Sequence, residues 1–300
     1  MSMAVGSTPS RLARRRSSLS DVKEIAGELW AYRELLYQLT LRNIRIRYKQ
    51  AVMGFGWAIF MPMVIVLAGI IVKFAAAQLA GRPFDTAGIG GMAVKALPWA
   101  FFVGAIGLAN QSLVGNRALV TKIYFPREVF PLSATLSQAF DSSIAAVAMG
   151  MALPFLGLHF GAALLWIAPL AVLLFLVTVA MGLFLSCANL FFRDVKYIVQ
   201  VLLTFGIFFT PVFYEPIDFG PTGARLMMIN PLAPILEGFR LSINHGHLLL
   251  QPIHSVTTAG ASVLVWSPWY LLYSALWAVG GLYIASVLFH RLEYVFAEYV

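Results

Sequence analysis

The sequence predicts an all-α polytopic membrane protein with six transmembrane helices, an N-terminal amphipathic interface helix and a pair of re-entrant helices between spans five and six. Three observations carry that expectation. Hydrophobic residues make up 60% of the 300 and charged ones only 11%, with a mean hydropathy of +0.82, a composition that excludes a water-soluble globule. A bilayer core about 30 Å thick takes roughly 20 apolar residues per helix, and six stretches meet that need, at 52–77, 97–115, 129–158, 162–190, 197–214 and 269–289. The basic residues, finally, alternate between loops as the positive-inside rule requires.

With the N-terminus inside, one side of the membrane collects the ten basic residues up to Lys49, then Arg117, Lys122, Arg127, Arg193, Lys196 and Arg291. The other side holds Arg82, Lys95, Arg225 and Arg240, and Lys73 falls at the outer end of span one, where its long side chain reaches the interface. The net charge of +8 is therefore explained by membrane orientation rather than by nucleic acid, and both termini are expected in the cytoplasm. Residues 1–27 form a cytoplasmic basic arm. Arg11, Arg14, Arg15 and Arg16 stand among serines with no apolar core of a signal peptide; the run suits anionic headgroups, at about 1 kcal/mol per residue, and equally a solvated tail. The lone Cys187 excludes an internal disulfide and is expected to be a buried structural thiol.

Residues 28–50 have the pattern of an amphipathic interface helix. Leu29, Tyr32, Leu36, Leu39 and Ile46 share one arc and Arg42, Arg45 and Lys49 the next, while Trp30, Tyr37, Leu41, Ile44 and Tyr48 form a second apolar arc. Two arcs leave a narrow wetted strip, so the helix is expected to pack on protein as well as lipid. Gly54 to Trp57 then hinge it into span one, the start of a transmembrane domain over 51–300.

Between spans two and three, in a cytoplasmic loop at 116–128, Asn116 is placed to cap a short helix through Arg117, Leu119, Lys122, Ile123 and Tyr124, which Pro126 would stop. Such a helix is either a docking surface or an ordinary basic loop. The turn Arg193-Asp194-Val195-Lys196 between spans four and five is either a plain hairpin cap or a contact for a cytoplasmic partner; Asp194 is the member that charge bias leaves unexplained. Residues 215–245 are too polar and proline-rich to cross a bilayer, yet stay apolar at Met227 to Ile229 and Ile235 to Leu241, as expected of short re-entrant helices buried in protein or lining a cavity. Glu237 and Arg240 are spaced to pair there, whether near the membrane or at the surface. Trp99, Trp266 and Trp269 are expected in the interfacial belt.

The order of Arg45 to Lys49 with Gly54, Trp57 and Pro62, then Phe192-Arg193-Asp194-Val195-Lys196, Pro211-Val212-Phe213-Tyr214 and Asn230-Pro231-Leu232 resembles the membrane subunit of ABC-2-type polysaccharide exporters, the O-antigen and teichoic acid permeases. The resemblance spans nearly the whole chain. Thr210 stands where that family often has Ser, and the arm before Ser20 is longer than the pattern needs. The resemblance implies a homodimer in the bacterial inner membrane, joined to two copies of a separate ABC ATPase and exporting a lipid-linked glycan of the O-antigen kind. Capsule, teichoic acid, small-lipid or drug export are the near alternatives. It further implies that Asn116 to Phe125 is the coupling helix inserted into the ATPase, that the Glu28 to Lys49 helix borders the same surface, and that Asn230, Pro231, Glu237 and Arg240 belong to a periplasmic gate.

A glycan sliding through such a protein needs aromatic walls on which sugar rings stack. Phe55, Phe60 and Phe74 of span one and Phe205, Phe208, Phe209, Phe213 and Tyr214 of span five are the candidates, against ordinary packing or lipid-facing roles. No Gly-x-x-x-x-Gly-Lys-Ser/Thr phosphate loop occurs, so ATP and Mg²⁺ are expected on the partner and no cofactor or metal on this chain. Two rivals remain. Asp141, the acid inside span three beside Gln138, Ser142 and Ser143, could relay protons in a secondary transporter or sit in a structural polar patch. A lipid-modifying transferase would need clustered acids or histidines, and His245, His247 and His254 lie in an outer loop without acidic partners.

Overall fold

The computed structural model describes residues 18–49, 51–79, 81, 88–122, 125–152, 161–256 and 262–296. Helices dominate. In chain order they are α1 (Ser18–Ala31), α2 (Arg33–Tyr48), α3 (Gly56–Leu79), α4 (Ile89–Gly115), α5 (Arg117–Lys122), α6 (Val129–Ala152), α7 (Ile167–Phe191), α8 (Val195–Gly206), α9 (Gly220–Met227), α10 (Leu232–Asn244) and α11 (Pro268–Leu292). A short antiparallel hairpin of β1 (Ile253–Val256) and β2 (Ser262–Trp266) precedes α11, a departure from the all-α expectation. Among the described residues four helical stretches are long and apolar enough to cross a membrane: Gly56–Leu79, Ile89–Gly115, Ala162–Phe191 and Pro268–Val295.

Packing sorts these helices into inner and outer members. In the apolar window of α4, 61% of residues are buried, against 11% in α3, so α4 is a central helix and α3 presents most of its surface outward. Two apolar cores flank the middle of the bundle. One gathers Phe101, Leu170, Ile235, Leu236, Phe239 and Trp266 around α10; the other gathers Leu39, Val120, Phe130, Leu183, Phe289 and Phe296 where α2, α6 and the end of α11 meet. Cys187 is buried in the second.

α6 falls short of span-like hydropathy because it carries Ser133, Thr135, Ser137, Gln138 and Asp141. Its hydroxyls are satisfied locally: Ser133, Thr135 and Ser137 donate to the carbonyls of Phe130, Pro131 and Ala134, which lets a polar helix lie among apolar neighbours.

Several expectations are corrected. Helix begins earlier than expected: α1 starts at Ser18, within the stretch read as the basic arm, and bends into α2 at Tyr32 (φ −97°, ψ 19°). Regular helix in the fifth stretch stops at Gly206, and 207–214 continues as turns into Pro211, because the amides of Phe208 and Phe209 bond three residues back rather than four. Trp266 is fully buried and donates to the Leu249 carbonyl (2.8 Å), and Trp99 is buried beside Phe102, so neither stands in an interfacial belt; Trp269 is exposed.

Candidate functional site

α10 is buried from Leu232 to Ser242, all but its last two residues, including its two charged residues. A buried ion survives only when paired and hydrogen-bonded. Arg240 therefore lays its guanidinium along the Glu237 carboxylate, Nε donating to Oε1 (3.0 Å) and Oε2 (3.1 Å), with Nη2 closing the fork on Oε1. Nη1 reaches Glu215 Oε1 (3.2 Å) and His245 Nε2 (2.9 Å). Lys95 enters from α4, donating to the Tyr214 carbonyl (2.7 Å) and standing 3.9 Å from Glu237 Oε2. Two cations thus face two carboxylates, and Gly91 makes the room: an added Cβ would lie 3.0 Å from Arg240 Cδ. The expected Glu237–Arg240 pair is present, but as the centre of a buried cluster rather than at the surface.

The two motifs flanking this cluster meet in space. Asn230 Nδ2 donates to Thr210 Oγ1 (3.0 Å), and Asn230 Oδ1 accepts from the Leu232 amide (3.1 Å), closing the start of α10. Threonine in place of serine keeps the hydroxyl this contact needs. Pro231 is fixed in turn by Ser274, whose hydroxyl donates to its carbonyl (2.8 Å).

At the other end of α4 lies a polar seam between α2 and α6. Asn43 Nδ2 donates to Ser133 Oγ (3.4 Å), Arg47 Nη1 to Gln138 Oε1 (3.1 Å) and Tyr48 Oη to Asp141 Oδ1 (2.6 Å), while Arg47 forms a close ion pair with Asp141 Oδ2. Partners advance together along both helices, so α2 runs parallel to the first half of α6. Asp141 is thus the anchor of a structural pair. Arg47 is its counter-ion, 94 residues away in sequence, and no local pattern could have revealed it.

Arg42 Nη2 donates to Asn116 Oδ1 (2.6 Å), and Asn116 Nδ2 donates to the Ser112 carbonyl (2.8 Å). Asn116 therefore closes the end of α4 and holds α2; the expected side-chain cap on α5 is absent, and only its carbonyl accepts from Leu119 and Val120. Arg117 is exposed and Leu119 half-buried; the Lys122 side chain, Ile123 and Tyr124 lie outside the described residues. Arg45, Lys49, Arg193 and Asp194 are exposed. The Asp194 carbonyl, not its carboxylate, accepts from the first turn of α8.

Among the expected aromatics, Phe55 just before α3, Phe60 and Phe74 on α3, and Phe205, Phe208 and Phe209 on α8 and the turns after it are exposed. Tyr214 is half-buried, its hydroxyl donating to the Phe208 carbonyl. Phe213 is instead buried against Gly69, where an added Cβ would stand 2.8 Å from its Cδ1. A cavity of about 710 Å³ opens beside this face, with Trp57, Pro62 and Trp99 on its apolar wall and Arg47, Gln138 and Thr204 among its polar groups. Sequence reasoning missed Arg47, Lys95 and Glu215. Lys95 lies just outside the predicted second span, where charge bias alone accounts for it.

The arrangement comprises a closed charge cluster at one end, a helix seam at the other and an exposed apolar face between them. Comparison with known proteins agrees in extent with this architecture. The chain is similar to the O-antigen export system permease protein RfbA of Myxococcus xanthus, 29% identical over 252 residues, covering 81% of this chain and 93% of the relative. Two O-antigen export system permease proteins RfbA of Klebsiella pneumoniae are 22% and 23% identical, each covering 88% of this chain and 94% of the relative. The profile of the ABC-2 type transporter family matches residues 34–244, from α2 to the last residue of α10, and the chain belongs to that family.

Proposed function

We propose that this chain is the membrane-spanning permease subunit of an ATP-driven exporter that moves a lipid-linked, O-antigen-like polysaccharide across the bacterial inner membrane. The observation that carries the proposal is the similarity to O-antigen export permeases over almost their full length. In this reading α3, α4, α6, α7, α8 with its following turns, and α11 are the six spans; both termini are cytoplasmic; α9 and α10 re-enter from the periplasmic side as the gate. The subunit works as a homodimer bound to two copies of a separate ABC ATPase, which holds ATP and Mg²⁺. The exposed phenylalanines of α3 and α8 support a second copy and a glycan path on that face.

Mechanically, ATP-driven closure of the partner pushes on α5. The Arg42–Asn116 bond passes that motion to α2, and Arg47, Tyr48 and Asp141 pass it into α6. Opening then requires α10 to shift together with its paired charges, since separating them inside the protein would cost several kcal/mol.

Copurification tests the assembly. The tagged chain, coexpressed with its ABC ATPase, is expected to elute with equal numbers of both subunits, and Arg117→Glu to weaken that association. Elution of the chain alone from intact membranes would sink the reading.

A further inference from the structure

Where the turn after α5 enters α6, Glu128 meets His290 from the last turn of α11 and Glu293 from the turn that follows. Glu128 and His290 are 2% and 5% exposed, and neither Glu128 oxygen nor His290 Nδ1 has a hydrogen-bond partner. His290 Nδ1 stands 3.5 Å from Glu128 Oε1 and 3.8 Å from Glu293 Oε1, and one donor atom from each of the three side chains lies within 4.8 Å of the others.

These spacings are too long for hydrogen bonds, which run about 2.7–3.2 Å. Ligands bound at about 2.0–2.2 Å in a tetrahedral zinc shell lie roughly 3.3–3.6 Å from one another; the His290–Glu128 spacing falls in that range, and the longer His290–Glu293 spacing requires Glu293 to draw in on binding. The charges point the same way. Glu28, Glu128 and Glu293 converge here, while the nearby Arg127 gives its guanidinium to the backbone carbonyls of Glu293 and Val120. A cavity of about 130 Å³, walled by Glu28, Phe125, Pro126, Arg127, Glu293 and Tyr294, adjoins the cluster. It is large enough for several waters at about 30 Å³ each, so a fourth ligand has a source.

We propose that Glu128, His290 and Glu293 bind one divalent transition-metal ion of the zinc class, with water completing the shell. Imidazole with two carboxylates matches the borderline character of Zn²⁺. The ion neutralises the carboxylate excess and ties the entry of α6, at the base of α5, to the end of α11. The site stands independently of the exported cargo.

The test is Zn²⁺ titration of the full-length, chelator-stripped protein in detergent, followed by calorimetry and thermal unfolding. One Zn²⁺ per chain and a raised unfolding temperature are expected. Glu128→Gln and His290→Gln should each weaken binding at least about ten-fold, whereas the loop variant His247→Ala/His254→Ala should keep it. Co²⁺ on the unaltered protein provides a second reading that needs no variant, a visible ligand-field spectrum abolished by competing Zn²⁺. Absence of stoichiometric Zn²⁺ and of a Co²⁺ spectrum, or binding unchanged in both ligand variants, overturns the proposal.

Discussion

At the α10 end of the bundle, Lys95 and Arg240 face Glu215 and Glu237, cation for carboxylate, and the guanidinium is fully engaged. At the opposite end of α11, three glutamates gather around Arg127 and His290, and the buried Glu128 oxygens have no hydrogen-bond partner, with His290 Nδ1 3.5 Å away. The same physics governs both places, since a low-dielectric interior penalises any charge that is not matched. The first cluster is complete within one chain and holds a shape. The second is incomplete and calls for a ligand. A balanced cluster can move as a unit with α10, whereas an unbalanced one responds to what binds it.

Substituting a glutamate at each end should therefore give unequal results. Glu237→Leu leaves Lys95 and Arg240 buried without their shared counter-ion and should cost about 3–5 kcal/mol, seen as a large fall in unfolding temperature and in monodisperse yield. Glu128→Gln in metal-free protein should leave stability unchanged to within about 1 kcal/mol or raise it, because it relieves a carboxylate excess. Equal losses at the two ends would break the comparison.

The α2–α6 seam should fall between these extremes. Asp141→Asn leaves Arg47 unbalanced, but that side chain is 28% exposed and still reaches Gln138, so a loss of about 1–3 kcal/mol is expected. Pairing it with Arg47→Met in a double-mutant cycle should recover part of the loss. Gly69→Ala forces Cβ against Phe213 and Met92 and should cost about 1–2 kcal/mol, measured by thermal unfolding. Smallest in stability is Arg42→Ala, which removes an exposed hydrogen bond to Asn116 and should cost less than about 1 kcal/mol. It should nevertheless lower glycan-stimulated ATP hydrolysis in the assembled transporter, which separates the coupling role from a merely structural one.

Much of the fold was legible because hydropathy is a local property: α3, α4, α7 and α11 stand out as unbroken apolar runs. The short α8 was overdrawn because Ile207 to Tyr214 are as apolar as a helix yet turn before Pro211. Glu237 and Arg240 could be paired from their spacing. Lys95 and Glu215 could not, since they join the cluster through tertiary contact alone. Arg42, Arg45 and Lys49 shared a visible arc, but the arginine that enters the seam with α6 is Arg47, chosen by the position of Asp141 on that helix. The hairpin before α11 was hidden by the polar composition of its loop, and Trp266 by the expectation that tryptophan marks an interface.

ATP-driven export through this chain is tested most directly by reconstitution. Proteoliposomes containing the chain and its ABC ATPase, supplied with lipid-linked glycan on the ATPase side, should move the glycan across only with hydrolysable ATP, at a rate indifferent to a protonophore. Transport that continues without ATP and collapses when the proton gradient is discharged would contradict it.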